Sequence, residues 1–323
     1  MHDLIIVGGG PGGLTAALYA ARARLDVLLL EKGAPGGQVL LTEHVDNYPG
    51  FPEGVGGFDL AERMTAQIRR FGVEPMIAAV VSMDLAGPVK SIRLEGGSVV
   101  QGRAVILATG ARPNSLHVPG ERELNGKGVS YCATCDGPFY RGQEIAVVGG
   151  GDTAVEEAIY LTRFASKVTI IHRRDELRAV GVIQEEAFAN EKIHFLCETR
   201  VTAIEGTDGV EALRLAHADG SSSRLPVQGV FILIGSTPNH EMLPLDQLRH
   251  EQGFVMTDDR MRTNLPGVYA VGDLRAGSVR QIVSAAGDGA VAEKEAEAYL
   301  ENLHRQAASR PVRRRKCTEA RKP

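Results

Sequence analysis

Two glycine-rich turns, each set between an apolar run and an alanine-rich run, constrain this chain more than any other feature. The first is Gly8-x-Gly10-x-x-Gly13, with apolar residues 4–7 before it and residues 14–23 after it. The second is Gly149-x-Gly151-x-x-Ala154, with residues 145–148 before it and 153–164 after it. The apolar runs 27–30 and 167–171 follow, so each turn is expected inside a strand–helix–strand unit. Glycine in such a turn lets the backbone approach a pyrophosphate, and the helix behind it offers free N–H groups and the positive end of its dipole. A tight turn without a ligand is the plainer reading of a bare glycine pattern. Two complete units outweigh it.

A second repeat points to duplication. Ile106-Leu107-Ala108-Thr109-Gly110-Ala111-Arg112-Pro113-Asn114 is echoed by Ile232-Leu233-Ile234-Gly235-Ser236-Thr237-Pro238-Asn239. Each copy is an apolar run entering Gly-x-x-Pro-Asn. After the second copy come another strand-like run ending in Gly272-Asp273 and an Ala/Glu-rich helix over 287–303. That piece is too short for a third domain and is read as completing the first. The expected fold is α/β, with two Rossmann-like dinucleotide-binding domains, the second inserted into the first. Residues 1–113 and 242–309 form one and residues 114–241 the other. The crossings near Pro113 and Pro238 are expected to act as a paired hinge. At 323 residues the chain is long enough for two domains.

The end of each second strand separates the two sites. Glu31 lies 23 residues beyond Gly8, and a carboxylate there accepts hydrogen bonds from ribose hydroxyls, as suits the adenosine half of FAD or NAD. His172 lies 23 residues beyond Gly149 and is followed by Arg173, Arg174 and Arg178. Guanidinium groups grip phosphate oxygens in pairs, so this reads as a 2′-phosphate pocket, and as NADPH rather than NADH. A solvated charge cluster is the alternative.

Between the two turns lies Cys132-Ala133-Thr134-Cys135-Asp136, with Cys135 fourteen residues before Gly149. Zinc would need two more ligands, and Cys197 and Cys317 are single. Two inert thiols and a static disulfide also remain open. A redox-active pair is favoured, since the spacing closes a small ring easily and a local helix lowers one thiol. Asp136 is placed to take and return the proton that thiol–disulfide exchange requires, or else it simply starts the turn at Gly137-Pro138. No metal site is expected.

Charge and hydropathy narrow the class. Net charge is −4, which argues against a nucleic-acid binder, and no apolar run approaches a membrane span. The charge is uneven: seven Arg/Lys and one Glu give residues 310–323 a charge of +6, which leaves −10 elsewhere. That basic segment is expected to be a disordered tail. The N-terminus carries no signal-type leader, so a cytoplasmic protein is expected.

Taken together, these motifs resemble the bacterial-type, low-molecular-weight thioredoxin reductases from about residue 3 to 304. The redox segment is Tyr131–Tyr140, and the second nucleotide site is Gly149, Gly151, Asp152, Thr153 and Ala154 with His172, Arg173, Arg174 and Arg178. For the flavin site the resemblance implies Gly8, Gly10, Pro11 and Gly13, with Glu31 and Lys32. It adds Gly36, Gly37, Gln38 and Asn47, and Thr109 and Gly110. Gly272 and Asp273 complete the set, Asp273 on the ribityl chain, with Arg280, Gln281 and Ile282 lining the ring system. It implies electron flow from NADPH through FAD to Cys132–Cys135 and on to thioredoxin, with Asp136 as acid/base, in a homodimer. It further implies rotation of the inserted domain between two states. Val279 stands where the family commonly has an aromatic residue, and Ile282 where it has a small one. The flavoprotein of alkyl hydroperoxide reductase, the nearest rival, carries an additional N-terminal region, whereas this chain begins at the first strand.

Overall fold

The computed structural model describes residues 1–309. The expected basic tail, 310–323, and Cys317 lie outside the described residues. The chain gathers into two compact units, one of Met1–Gly37, Arg63–Gly110 and the segment from His240 onward, the other of Gln38–Glu62 and Ala111–Asn239.

The first unit is built on a seven-stranded sheet. Met76–Ile77, Val27–Glu31, His2–Val7 and Val99–Leu107 lie side by side in parallel, and Val268–Ala270 pairs with the last three residues of Val99–Leu107. The antiparallel pair Val80–Asp84 and Lys90–Leu94 adds to the first half of Val99–Leu107. Side chains of His2–Val7 alternate between two cores. Leu4 and Ile6 pack with Leu14, Ala17, Ala104 and Ile106 on one face. Ile5 and Val7 pack with Leu30, Ile92, Val105 and Leu107 on the other. A parallel strand buried on both faces reads as a continuous apolar run, which is why residues 4–7 stand out in the sequence. Each such Leu or Ile contributes about 1.5–3 kcal/mol on burial.

Helix Pro11–Arg22 starts directly after the first turn, three residues before the sequence pattern suggests. Gly10 precedes it and Pro11 occupies its first turn, where a missing N–H costs nothing. It packs along the terminal helix Ile282–Ser309 at very short range, because a Cβ on Gly289 would meet the Gly12 carbonyl oxygen at 2.2 Å.

The second unit carries a five-stranded parallel sheet in the order Ile193–Leu196, Lys167–Ile171, Glu144–Val148, Gly229–Ile232, Val129–Ser130. Helix Asp152–Leu161 covers one face, where Ala154, Val155, Ala158 and Leu161 meet Ile145, Val147 and Val168. A three-stranded antiparallel sheet, Thr199–Glu205, Ala212–His217 and Ser222–Pro226, contributes to the core on the other face. The two Gly-x-x-Pro-Asn repeats pair with each other as a short antiparallel ribbon, Ala111–Pro113 against Ser236–Pro238. Thr237 Oγ1 donates to Asn114 Oδ1 at 2.7 Å, and Arg112 Nη1 donates to Asn239 Oδ1 at 2.6 Å.

Candidate active site and nucleotide-binding turns

Strand Val129–Ser130 delivers the chain to the short helix Ala133–Asp136. Cys132 is extended and precedes that helix, and its sulfur accepts the Cys135 N–H at 3.2 Å. Cys132 and Cys135 are joined as a disulfide, with their Cα atoms 5.3 Å apart. Glu157, on helix Asp152–Leu161, accepts the Ala133 N–H at 3.1 Å and ties the redox helix to the second nucleotide turn's own helix.

Asp136 closes the redox helix. It makes no capping bond to the 3-10 turn Gly137–Tyr140 that follows, so its side chain is not there to start that turn. The Ser130 hydroxyl donates to Asp136 Oδ2 at 2.5 Å instead. Burial pushes the Asp136 carboxyl above its ordinary range, and the Ser130 bond partly opposes the shift. A raised carboxyl beside a disulfide is suited to carry protons to and from sulfur. Tyr140 is pushed up to about 12, first by burial and then by the Asp136 charge, and stays neutral. Its ring packs edge-on against Phe231, 5.2 Å between centroids. Cys197 is the free cysteine among the described residues, and burial with Asp175 and Glu198 raises its thiol.

The second turn is open where a nucleotide would lie. A Cβ on Gly149 would strike the Leu233 carbonyl oxygen and Ala154 Cβ, both at 2.5 Å, and one on Gly150 would strike His172 Nδ1 at 2.3 Å. A Cβ on Gly151 would meet only Arg178 Nη2, at 4.0 Å. Asp152 and Thr153 start the helix with exposed side chains. Asp152 Oδ1 accepts the Val180 N–H at 2.7 Å, and the Gly150 carbonyl accepts Arg178 N–H at 2.6 Å. These bonds fold the arginine segment back over the turn. Arg173, Arg174 and Arg178 are exposed, and none is ion-paired among the described residues. His172 is buried with Nε2 unpartnered, and its pKa is held down by burial first and then by the three arginines. An orphaned donor–acceptor beside three unpaired guanidiniums fits an anionic, 2′-phosphorylated nucleotide.

In the first turn, Gly8 has φ +108° and a Cβ there would meet the Ala108 carbonyl oxygen at 2.3 Å, while one on Gly13 would overlap the Gly8 oxygen at 1.9 Å. Gly10 faces open space. Glu31 accepts Gly9 N–H at 2.7 Å and Gly33 N–H at 2.9 Å, so the carboxylate is fixed beside the turn with lone pairs to spare. Exposed Lys32 follows it. Gly36 N–H reaches the Gly9 carbonyl at 2.7 Å, which brings Gly36 and Gly37 against the same turn. Thr109 and Gly110 continue from Val99–Leu107, and Gly272 and Asp273 from Val268–Ala270, at the same carboxyl end of the parallel strands. That is where nucleotides bind such sheets. The Asp273 carboxyl is raised, mainly by burial, with Arg280 opposing. Arg280 has φ +56° and stacks its guanidinium on Phe254 at 5.4 Å. Gln281 precedes Ile282, the first residue of the terminal helix, and Val279 is exposed. Gln38 and Asn47 belong to Gln38–Glu62, which gathers with the second unit. This geometry fits a pyrophosphate-bearing dinucleotide.

Sequence reasoning missed Ser130 and Glu157. A serine in a two-residue strand carries no motif, and only its burial at 3% exposure marks it as more than a surface hydroxyl.

Two nucleotide turns and a closed Cys-x-x-C define a disulfide oxidoreductase that draws electrons from a pyridine nucleotide. A family model described as pyridine nucleotide-disulphide oxidoreductase matches residues 2–289. A thioredoxin reductase of Listeria innocua is 47% identical over 306 residues, covering 94% of this chain and 95% of that protein. The thioredoxin reductase of Bacillus subtilis is 46% identical over 305 residues, covering 94% of this chain and 96% of that protein. The crystal structure of thioredoxin reductase from Streptococcus pyogenes matches with a TM-score of 0.90 at 44% identity, over 94% of this chain and 99% of that one. The chain belongs to the pyridine nucleotide-disulphide oxidoreductases and, within them, to the bacterial-type thioredoxin reductases.

Proposed function

We propose that this chain catalyses reduction of the thioredoxin disulfide at the expense of NADPH, using FAD and the Cys132–Cys135 pair. The observation that carries the reading is the closed pair with a raised carboxyl, Asp136, which directly follows Cys135 and accepts a hydrogen bond from the Ser130 hydroxyl. When bound, NADPH supplies a hydride and FAD carries its two electrons to the disulfide. The chain's residues bind, orient and move protons. Gly8, Gly10, Pro11 and Gly13 hold the flavin pyrophosphate, Glu31 and Lys32 its ribose end. Gly36, Gly37, Gln38, Asn47, Thr109, Gly110, Gly272, Asp273, Arg280, Gln281 and Ile282 complete that site. Gly149, Gly151, Asp152, Thr153 and Ala154 hold the NADPH pyrophosphate, and His172, Arg173, Arg174 and Arg178 its 2′-phosphate. The proposed domains divide at 1–113 with 242–309, and 114–241; the compact units differ from that division in gathering Gln38–Glu62 with the second.

One thiolate of the reduced pair attacks thioredoxin, a mixed disulfide forms, and protonated Asp136 gives its proton to the departing sulfur. The second thiol then yields its proton to Asp136 and attacks in turn. The Cys132–Cys135 bond closes, and the last thioredoxin sulfur takes the proton from Asp136. Two electrons and two protons reach thioredoxin. By resemblance the protein works as a homodimer in the cytoplasm, with neither membrane nor nucleic acid as partner. Among the described residues no helix is long and apolar enough to cross a membrane.

Anaerobic NADPH titration should bleach the flavin, and oxidised thioredoxin should restore its absorbance. The Cys135→Ser variant should bleach as before but lose thioredoxin reduction. Thioredoxin turnover by that variant would remove the pair from the mechanism.

A further inference from the structure

The Ser130 hydroxyl has more acceptors in reach than it has protons. It lies 2.5 Å from Asp136 Oδ2 and 3.3 Å from the Cys132 carbonyl oxygen, and it accepts the Cys132 N–H at 3.1 Å. The backbone N–H and C=O of Cys132 and the catalytic carboxyl therefore converge on one oxygen. That oxygen is buried in strand Val129–Ser130, with the residue 3% exposed, so bulk water does not replace either partner. A hydroxyl has one proton to donate and two lone pairs to offer. With Asp136 ionised, the hydroxyl donates to Oδ2, and the Cys132 carbonyl goes without it. With Asp136 protonated, the carboxyl becomes the donor and Ser130 accepts from it. The hydroxyl proton is then free to turn to the Cys132 carbonyl. In both arrangements the Cys132 N–H keeps its bond.

We propose that Ser130 is a positioning residue that couples the protonation state of Asp136 to the backbone of Cys132, by switching its single proton between the carboxylate and the Cys132 carbonyl. The inference rests on Asp136 being the proton carrier, as argued above. In that cycle Asp136 is protonated before each departing sulfur leaves and ionised after it, so the switch turns over with each proton transferred. No bond to sulfur is made by Ser130, and no proton is gained or lost by it: it donates one hydrogen bond in either state. The groups around Asp136 are the disulfide between Cys132, which precedes its helix, and Cys135, which lies in it, with Tyr140 in the following turn and Ser130 from the strand; Glu157 reaches the same helix at Ala133 from helix Asp152–Leu161. Tyr140 stays neutral up to about 12, so Asp136 and the thiols are left to set the profile at lower pH.

The test is the pH profile of thioredoxin reduction in the holoenzyme with saturating NADPH. Ser130→Ala deprives the ionised carboxyl of its donor, so the alkaline limb should move up by about one pH unit. Ser130→Thr, which keeps the oxygen, should leave the limb in place, and flavin bleaching by NADPH should be unchanged in both. An S130A limb that stays put while turnover falls evenly would reduce Ser130 to a structural role and overturn the inference. Should S130A lose its flavin, the unaltered protein decides. Isotopic labelling of the cysteine carbonyls should reveal one infrared band that falls in frequency when the pair is reduced, and no such shift would overturn the switch. Asp136→Asn separates the two layers. Thioredoxin turnover in D136N with the alkaline limb intact would overturn the role of Asp136 and this inference with it. Loss of turnover with bleaching retained upholds the proton carrier, and S130A then judges Ser130 alone.

Discussion

Glu293 is a carboxyl with no exposed surface, and neither oxygen has a hydrogen-bond partner. It sits on Ile282–Ser309 beside Ala292 and Ala296, which pack in the core with Ala16, Ala17 and Ala20. Burial drives its pKa to about 7, Lys294 opposing and Glu297 adding to the shift. In the unfolded chain the group ionises near 4.5. Below that pH it is neutral in both states and costs no linkage energy. From there to about 7 the unfolded chain ionises while the folded chain stays neutral, so stability falls, and it levels off above. The loss is on the order of 3 kcal/mol. Glu293→Gln should therefore unfold in urea close to the unaltered protein at about pH 4, and be more stable by roughly 1–3 kcal/mol at about pH 8. Equal midpoints at the higher pH would mean that the carboxyl has found water. Nothing in the sequence marks this residue. Glu293 sits in a run of Glu, Lys and Ala that reads as a solvated helix face. The Cys132–Cys135 pair was legible for the opposite reason, since its spacing is local in sequence. Ser130 acts through a neighbour six residues away, and no spacing rule records that.

At the scale of elements, strands were read well; the helix after the second turn was placed to within one residue of its start, and the first and terminal helix starts were not. Residues 4–7, 145–148 and 167–171 all lie within strands because parallel strands carry unbroken apolar runs. The terminal helix begins at Ile282, five residues before the expected start at Gly287. Two glycines, Gly287 and Gly289, sit near its start and mask it, because glycine is a poor helix former. Their reasons differ. Gly289 is required by contact, since its Cβ would lie 2.2 Å from the Gly12 carbonyl oxygen and 3.1 Å from Ala16 N. Gly287 has nothing within 4 Å of where a Cβ would stand. The same Gly→Ala change should therefore have opposite signs two residues apart. Gly289→Ala forces the two helices apart and should cost about 1–3 kcal/mol. Gly287→Ala restricts only the unfolded chain and should add about 0.4–1 kcal/mol. Thermal unfolding of the two variants checks this, and a shared sign would mean that the helix pair adjusts its spacing freely.

For the molecule as a whole, duplication is written in topology as well as in sequence. In both units the first strand after the turn's own helix lies on one side of the central strand, and the later strand, Val99–Leu107 or Gly229–Ile232, lies on the other. The copies differ in charge at the residue 23 positions beyond the first glycine of each turn. In the first unit it is Glu31, its carboxylate fixed by Gly9 and Gly33. In the second it is His172, buried with an unpartnered Nε2 and followed by exposed arginines. A carboxylate would repel a 2′-phosphate and guanidiniums attract it, so under the proposed cofactor assignment one fold would sort two cofactors by charge at a single place. That sorting makes a specific demand on kinetics. Arg173→Ala with Arg174→Ala removes two guanidiniums that form no ion pair among the described residues, so no buried partner is left exposed by the change. The KM for NADPH should rise about 10–100-fold, while the KM for NADH, which has no 2′-phosphate, changes little. Flavin content should be unaltered, since Glu31 and the first turn belong to the other copy. With both substrates saturating, kcat should hold, because the arginines would grip a part of the nucleotide remote from the hydride. A parallel rise in KM for both nucleotides would place the arginines on the shared pyrophosphate instead, and the charge at this register would then not be what tells the two copies apart.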